Sequence, residues 1–144
     1  MWQKHKKGFI KRVMSPGASL EGLQWILYEQ NTNDLLIQKN GERLQLAHKY
    51  YRGEKEIGGY TCDGYALINN VHHFWEYLGC FFHKNCPNIG CPFYLTGKDI
   101  RWEQKEKFLK SKGVLHSMRG CTWKLKLKKI KGFPTPSMPL VTNY

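Results

Sequence analysis

Between Gly64 and Lys98 the only carboxylate is Glu76, set among Phe74, Trp75 and Tyr77. A lone glutamate in an apolar strand needs a compensating partner, because a buried, unpaired charge is costly. Tyr60 to Ile68 and Val71 to Leu78 are β-rich segments separated by Asn69-Asn70, a pair suited to a two-residue turn. With that turn Ile68 faces Val71, and stepping outward along the two strands sets Asp63 directly opposite Glu76. Opposed residues share a face with Cβ atoms roughly 4.5–5.5 Å apart, so the two anions repel unless a cation lies between them. Hard oxygen donors select Mg²⁺ or Mn²⁺. Such a metal would polarise a phosphate and lower the pKa of an attacking water, which is the chemistry of phosphodiester hydrolysis. The alternative is a longer turn, a slipped register and one carboxylate facing water.

A second constellation is sulfur-based. Cys80, Cys86 and Cys91 fall close together and Cys121 follows, with gaps of five, four and 29 residues. Four thiolates would close a tetrahedral Zn²⁺ site and anchor the aperiodic stretch Gly79 to Gly97, although the spacing is looser than in zinc ribbons. The competing reading is buried core thiols. Cys62 alternates to the face opposite Asp63 and reads as core. His83 is a metal ligand, a general acid/base or a plain loop histidine. His72 and His73 point to opposite strand faces and read as structural. Trp2, Trp25 and Trp102 read as packing or surface residues.

The charge balance names the polymer on which such chemistry would act. The chain has 144 residues, with 23 Lys+Arg against 11 Asp+Glu, a net charge of +12. On one domain this is the footprint of a polyanion partner, nucleic acid being the commonest, while solubility alone is the plainer explanation. Lys124, Lys126, Lys128, Lys129 and Lys131 alternate with Leu125, Leu127 and Ile130. Read as a strand, this segment presents a basic edge, to which Lys84 adds a further cation. No run approaches the roughly 18 apolar residues of a membrane span. The basic N-terminus, Met1 to Arg12, has no apolar core of a secretory signal. The expected setting is intracellular, nuclear in a eukaryote, with reduced thiols and no membrane.

These residues must be positioned by a single mixed α/β domain. Leu20, Leu23, Ile26 and Leu27 recur at helical spacing from a Ser19 cap to Asn31. Leu35 to Gln38 and Leu44 to His48 read as strands around Asn40-Gly41, and Glu54 to Gly59 as an exposed loop. Asp99 to Lys112 reads as a charged helix ended by Gly113. Val114 to Met118 and Thr122 to Ile130 read as strands.

The runs Cys62-Asp63-Gly64-Tyr65 and Trp75-Glu76-Tyr77-Leu78-Gly79-Cys80-Phe81-Phe82-His83 resemble the very short patch repair (Vsr) endonucleases of the PD-(D/E)xK superfamily. The likeness is greater still to Vsr-like nuclease domains attached to family B DNA polymerases of Maverick/Polinton-type elements. It covers Ser15 to Trp123. It implies a restriction-endonuclease-like domain over 15–131, a central mixed sheet flanked by helices with a zinc-stabilised loop, between a basic arm (1–14) and a Pro-containing tail (132–144). It also implies Asp63 as bridging metal ligand, Glu76 as the second acid, His83 as a catalytic histidine and Glu21 as a helical acid facing the site. Cys80 and Cys121 match the family's structural zinc ligands, with Cys86 and Cys91 filling the set by proximity. Leu78 stands where the superfamily carries Lys, or His in Vsr-like members, and Phe82 stands where the family carries Trp.

The expected function is therefore a Mg²⁺- or Mn²⁺-dependent, zinc-stabilised DNA endonuclease in which His83, Lys84 or another lysine replaces the cation missing at Leu78. The alternative is a catalytically weak or inactive zinc-containing nucleic-acid-binding module. Either would suit a part or associate of a larger replication, repair or transposition protein.

Overall fold

The computed structural model describes residues 20–130; the basic arm, the Ser15–Ser19 break and cap, and the tail from 131 onward lie outside them. The order is α1 (Leu20–Thr32), a 3₁₀ turn (Asp34–Leu36), β1 (Ala47–His48), β2 (Lys55–Ile57), β3 (Tyr60–Cys62), β4 (Gly64–Ile68), β5 (Val71–Leu78), α2 (Ile100–Lys112), β6 (Gly113–Arg119) and α3 (Gly120–Leu127). A four-stranded sheet runs β1-β4-β5-β6, and β2 and β3 form a separate two-stranded ribbon. β4 pairs antiparallel with β5, whereas β5 pairs parallel with β6. A parallel neighbour requires a crossover, and residues 79–112 supply it. The molecule is thus mixed α/β, with a central mixed sheet and, among the described residues, three α-helices.

Alternation along β5 sorts the core onto two faces. Trp75 and Tyr77 pack with Trp25 and Ile26 of α1 and Trp123 of α3. Phe74 packs on the other face with Cys62 and Leu109 of α2. β5 is buried from His73 to Leu78, as befits a strand covered on both sides. At the start of β6, a Cβ on Gly113 would lie 2.1 Å from the His72 carbonyl oxygen, so this close approach of strands needs glycine.

Several elements follow the sequence reading. α1, β5 and α2 span the expected residues, and Asp99 caps α2 by accepting from the Trp102 N–H at 3.2 Å. Asn69 and Asn70 have φ of 51° and 65°, the two positive values of a type I′ turn. The resulting register pairs Gly64 with Trp75 and Tyr65 with Phe74.

Three segments differ. Thr122 to Ile130 is not a strand: helix α3 covers Gly120–Leu127. Trp123, Leu127 and Ile130 form the helical stripe that meets the core, so this spacing outweighed the shorter Lys-Leu alternation. Glu54 to Gly59 is not simply a loop, since Lys55–Ile57 pairs with Tyr60–Cys62 around Gly58-Gly59. Leu35 to Gln38 is largely the 3₁₀ turn, capped by the Asn33 side chain. Around Asn40-Gly41 only a single Ile37–Arg43 bridge forms.

Buried His48 anchors the loop between β1 and β2. Its Nδ1 accepts from the Tyr50 N–H at 3.2 Å, and burial lowers its pKa to about 4. Between pH 6.5 and about 4 the unfolded chain therefore binds a proton that the folded one refuses, so this residue's contribution to stability is lost as pH falls through that window. Urea denaturation should show a wild-type stability loss over this range that is smaller in His48→Gln.

Candidate functional site

The β-ladder breaks at Asp63, between the end of β3 and the start of β4. There the two acids take over the work of the missing ladder bonds. The Asp63 N–H donates to Glu76 Oε2 at 3.0 Å, and the Tyr77 N–H donates to Asp63 Oδ2 at 2.8 Å. Each carboxylate is thereby oriented by backbone from the other strand.

The remaining oxygen of Glu76 meets a cation. Lys105, on α2, places Nζ 2.7 Å from Glu76 Oε1. Burial raises the Glu76 pKa to about 7, with the Asp63 charge adding to the shift and Lys105 opposing it. Asp63 is also raised by burial, against the Tyr77 N–H, Lys105 and His83. Two carboxylates and a lysine thus share one buried point, and a further positive charge would let both acids ionise together. As neighbouring hard oxygen donors with an electrostatic deficit, Asp63 and Glu76 fit a divalent cation.

Asp63 lines a cleft of about 640 Å³, whose walls include Glu21, Lys49, Glu54, Phe82, His83 and Lys124. His83 Nδ1 lies 2.8 Å from Asp99 Oδ2, so a single aspartate both caps α2 and orients the imidazole. With Nδ1 committed to Asp99, Nε2 is the nitrogen left for proton exchange. The Arg119 guanidinium donates to the His83 carbonyl, and Trp102 stands edge-on to the ring at 6.0 Å. Glu21 reaches the cleft, but its contacts are elsewhere: it accepts from the Tyr77 hydroxyl at 3.1 Å and lies 3.8 Å from Lys124 Nζ.

Beyond the end of β5, the sulfurs of Cys80, Cys86, Cys91 and Cys121 all lie within 4.8 Å of one another. Cys86 and Cys121 are 3.6 Å apart, and Cys80 and Cys86 4.0 Å. A tetrahedron of Zn–S bonds near 2.3 Å has edges of about 3.8 Å, so the four thiols can hold a structural metal such as zinc. Their protonation supports this. Burial raises Cys80 and pushes Cys86 up to about 12; it also acts to raise Cys121, but donors from Asn88 and the other thiols outweigh it and bring Cys121 down to about 7. One thiolate ringed by thiols is what four clustered sulfurs reach without a cation. Cys62 is fully buried in the core, as expected.

The lysines are dispersed by the helix that replaces the expected strand. Lys124 borders the cleft, Lys126 lies over the Tyr28 ring, and Lys128 and Lys129 follow the end of α3, all four exposed. Lys84 sits 5.0 Å from the Phe81 ring centre.

Sequence reasoning did not single out Lys105, Asp99, Lys49 or Glu54. Lys105 had a signal, because it falls on the stripe between buried Trp102 and Leu109, where a lysine needs a partner. Glu54 had none until the β2–β3 ribbon was known, and its pKa is raised by burial and by Asp63.

No protein family, curated protein or solved structure matches this chain.

Protein purified under reducing conditions is expected to carry about one equivalent of zinc. Cys86→Ser should lose it and melt at lower temperature, and metal analysis beside a melting curve checks both; a metal-free wild-type protein with an unchanged melting point would refute the site.

Proposed function

We propose that the protein is a metal-dependent DNA endonuclease of restriction-endonuclease-like fold, similar to the Vsr nucleases, that cuts or nicks DNA by phosphodiester hydrolysis. The observation that carries this reading is the meeting of Asp63, Glu76 and Lys105 beside a cleft that also receives His83. A pure binding module gains nothing from two acids placed where a phosphate must approach.

The chain's own groups divide the work. Asp63 and Glu76 supply the oxygen donors for Mg²⁺ or Mn²⁺, held in direction by the backbone bonds at the ladder break. A bound divalent cation would polarise the scissile phosphate and lower the pKa of the attacking water. Lys105 fills the cationic role that Leu78 cannot, approaching the acids from α2 instead of from β5. Its charge offsets the anionic pair and, near a phosphate, stabilises the negative charge that grows during displacement. His83, oriented by Asp99, takes or delivers a proton at Nε2. Glu21 fixes Tyr77 and Lys124 at the wall. The Cys cluster, holding zinc, would keep the loop that carries His83 in place. The order of the sheet, antiparallel β4–β5 followed through α2 by parallel β6, supports the fold.

One observation favours the second reading, a catalytically inactive zinc-containing nucleic-acid-binding module. Both carboxylates already accept backbone N–H groups, so they also have a purely structural use in closing the ladder break.

Incubation with plasmid and oligonucleotide DNA in Mg²⁺ or Mn²⁺ separates the two. Cleavage is expected, with Asp63→Asn abolishing it and Lys105→Ala lowering it by roughly 10²-fold or more, at unchanged zinc content. Undiminished cleavage in Asp63→Asn would sink the site, and no cleavage by the wild type of any DNA would leave the binding module.

A further inference from the structure

The wall of the cleft carries a feature that hydrolysis alone does not require. Phe81 and Phe82 are 61% and 64% exposed, yet both line the cleft that Asp63 lines. Their rings meet edge-on at 5.0 Å, and Phe81 also meets Phe93 edge-on at 5.9 Å. Scattered exposed apolar side chains are ordinary, but adjoining rings at the mouth of a cleft form a patch that favours a flat apolar partner. The cations beside it favour an anion: Lys49 and Lys124 line the same cleft, and Lys84 lies over the Phe81 ring. A flat apolar face joined to a chain of negative charges describes a nucleotide whose base is free of its complement.

Size points the same way. At about 640 Å³ the cleft falls among pockets of roughly 300–1,000 Å³ that enclose a small organic molecule. One or two nucleotides are on that scale. In a duplex the base faces are stacked on one another, so the phenylalanines would meet only sugar and phosphate.

We infer that the cleft receives an unpaired DNA strand in preference to intact duplex, with Phe81 and Phe82 as the stacking wall and Lys49 and Lys124 as phosphate contacts. The inference rests on the nuclease reading only for the identity of the polymer. It narrows the substrate to strands, flaps, bulges or gaps that expose bases near the cut.

The test is fluorescence anisotropy at fixed salt, without added Mg²⁺ or Mn²⁺, using a labelled single strand and the same sequence as duplex. The wild type should bind the strand about tenfold or more tightly than the duplex. Phe81→Ala/Phe82→Ala should lose roughly tenfold or more on the strand, with little change on the duplex and with unchanged zinc content and melting temperature. If the double variant misfolds, Phe82→Ala alone carries the comparison. Equal or tighter duplex binding, no detectable binding to either, or a strand affinity insensitive to the phenylalanines would overturn the inference. Cleavage assays with Mg²⁺ are read separately: strand preference without cutting keeps the inference and removes the nuclease, whereas intact duplex cut as fast as single strand keeps the nuclease and removes the inference.

Discussion

The interaction on which the site depends is the exchange across the break at Asp63. Two carboxylates lie beside a central strand that is buried on both faces, and neither would be stable there alone. Each is held because it accepts an N–H that the interrupted ladder leaves over, and because Lys105 brings a positive charge from the helix packed on that face. The break, the pair and the lysine are therefore one device. The unpaired backbone needs acceptors, the acceptors need a cation, and the cation needs α2 seated by Leu109 and Trp102.

The same dependence links the site to the crossover. Residues 79–112 must run from the end of β5 back to the start of β6, and they carry the cysteine loop, His83, Asp99 and Lys105 on the way. Asp99 serves two ends of this route, closing the first turn of α2 and fixing the imidazole. His83 on its loop and Lys105 on its helix are thus placed by a common hinge. No helix among the described residues is long and apolar enough to cross a membrane.

What could be read from the sequence was governed by local rules. Asn69-Asn70 admits a tight turn, and the turn alone sets Asp63 against Glu76, so the opposition of the acids was legible. So was the cysteine cluster, because three of its members lie in one aperiodic stretch. Lys105 escaped notice because it comes to Glu76 from 29 residues away, through packing that no short window contains. The stretch after Cys121 misled because Lys-Leu alternation matches a strand, while Trp123, Leu127 and Ile130 match a helix; the fully buried tryptophan decided the outcome. The β2–β3 ribbon was hidden by charged residues, although Gly58-Gly59 marks its turn. The restriction-endonuclease-like architecture came from the resemblance, since periodicity gives element types but not their order in a sheet.

The placement of the cysteines also has an entropic side. Cys80 follows the end of β5 and Cys121 lies at the start of α3, just past β6, so a metal shared by them fastens together the exits of two parallel neighbours. Everything between them, the loop, α2 and β6, becomes a closed circuit instead of an open excursion. Closing so long a segment removes more freedom from the unfolded chain than closing a short turn would. Parallel pairing, which gains nothing from a hairpin, is where such a tether is worth most. The supply of zinc and of reducing power around the protein would then govern how firmly β6 stays beside β5, and with it whether the cleft keeps its shape.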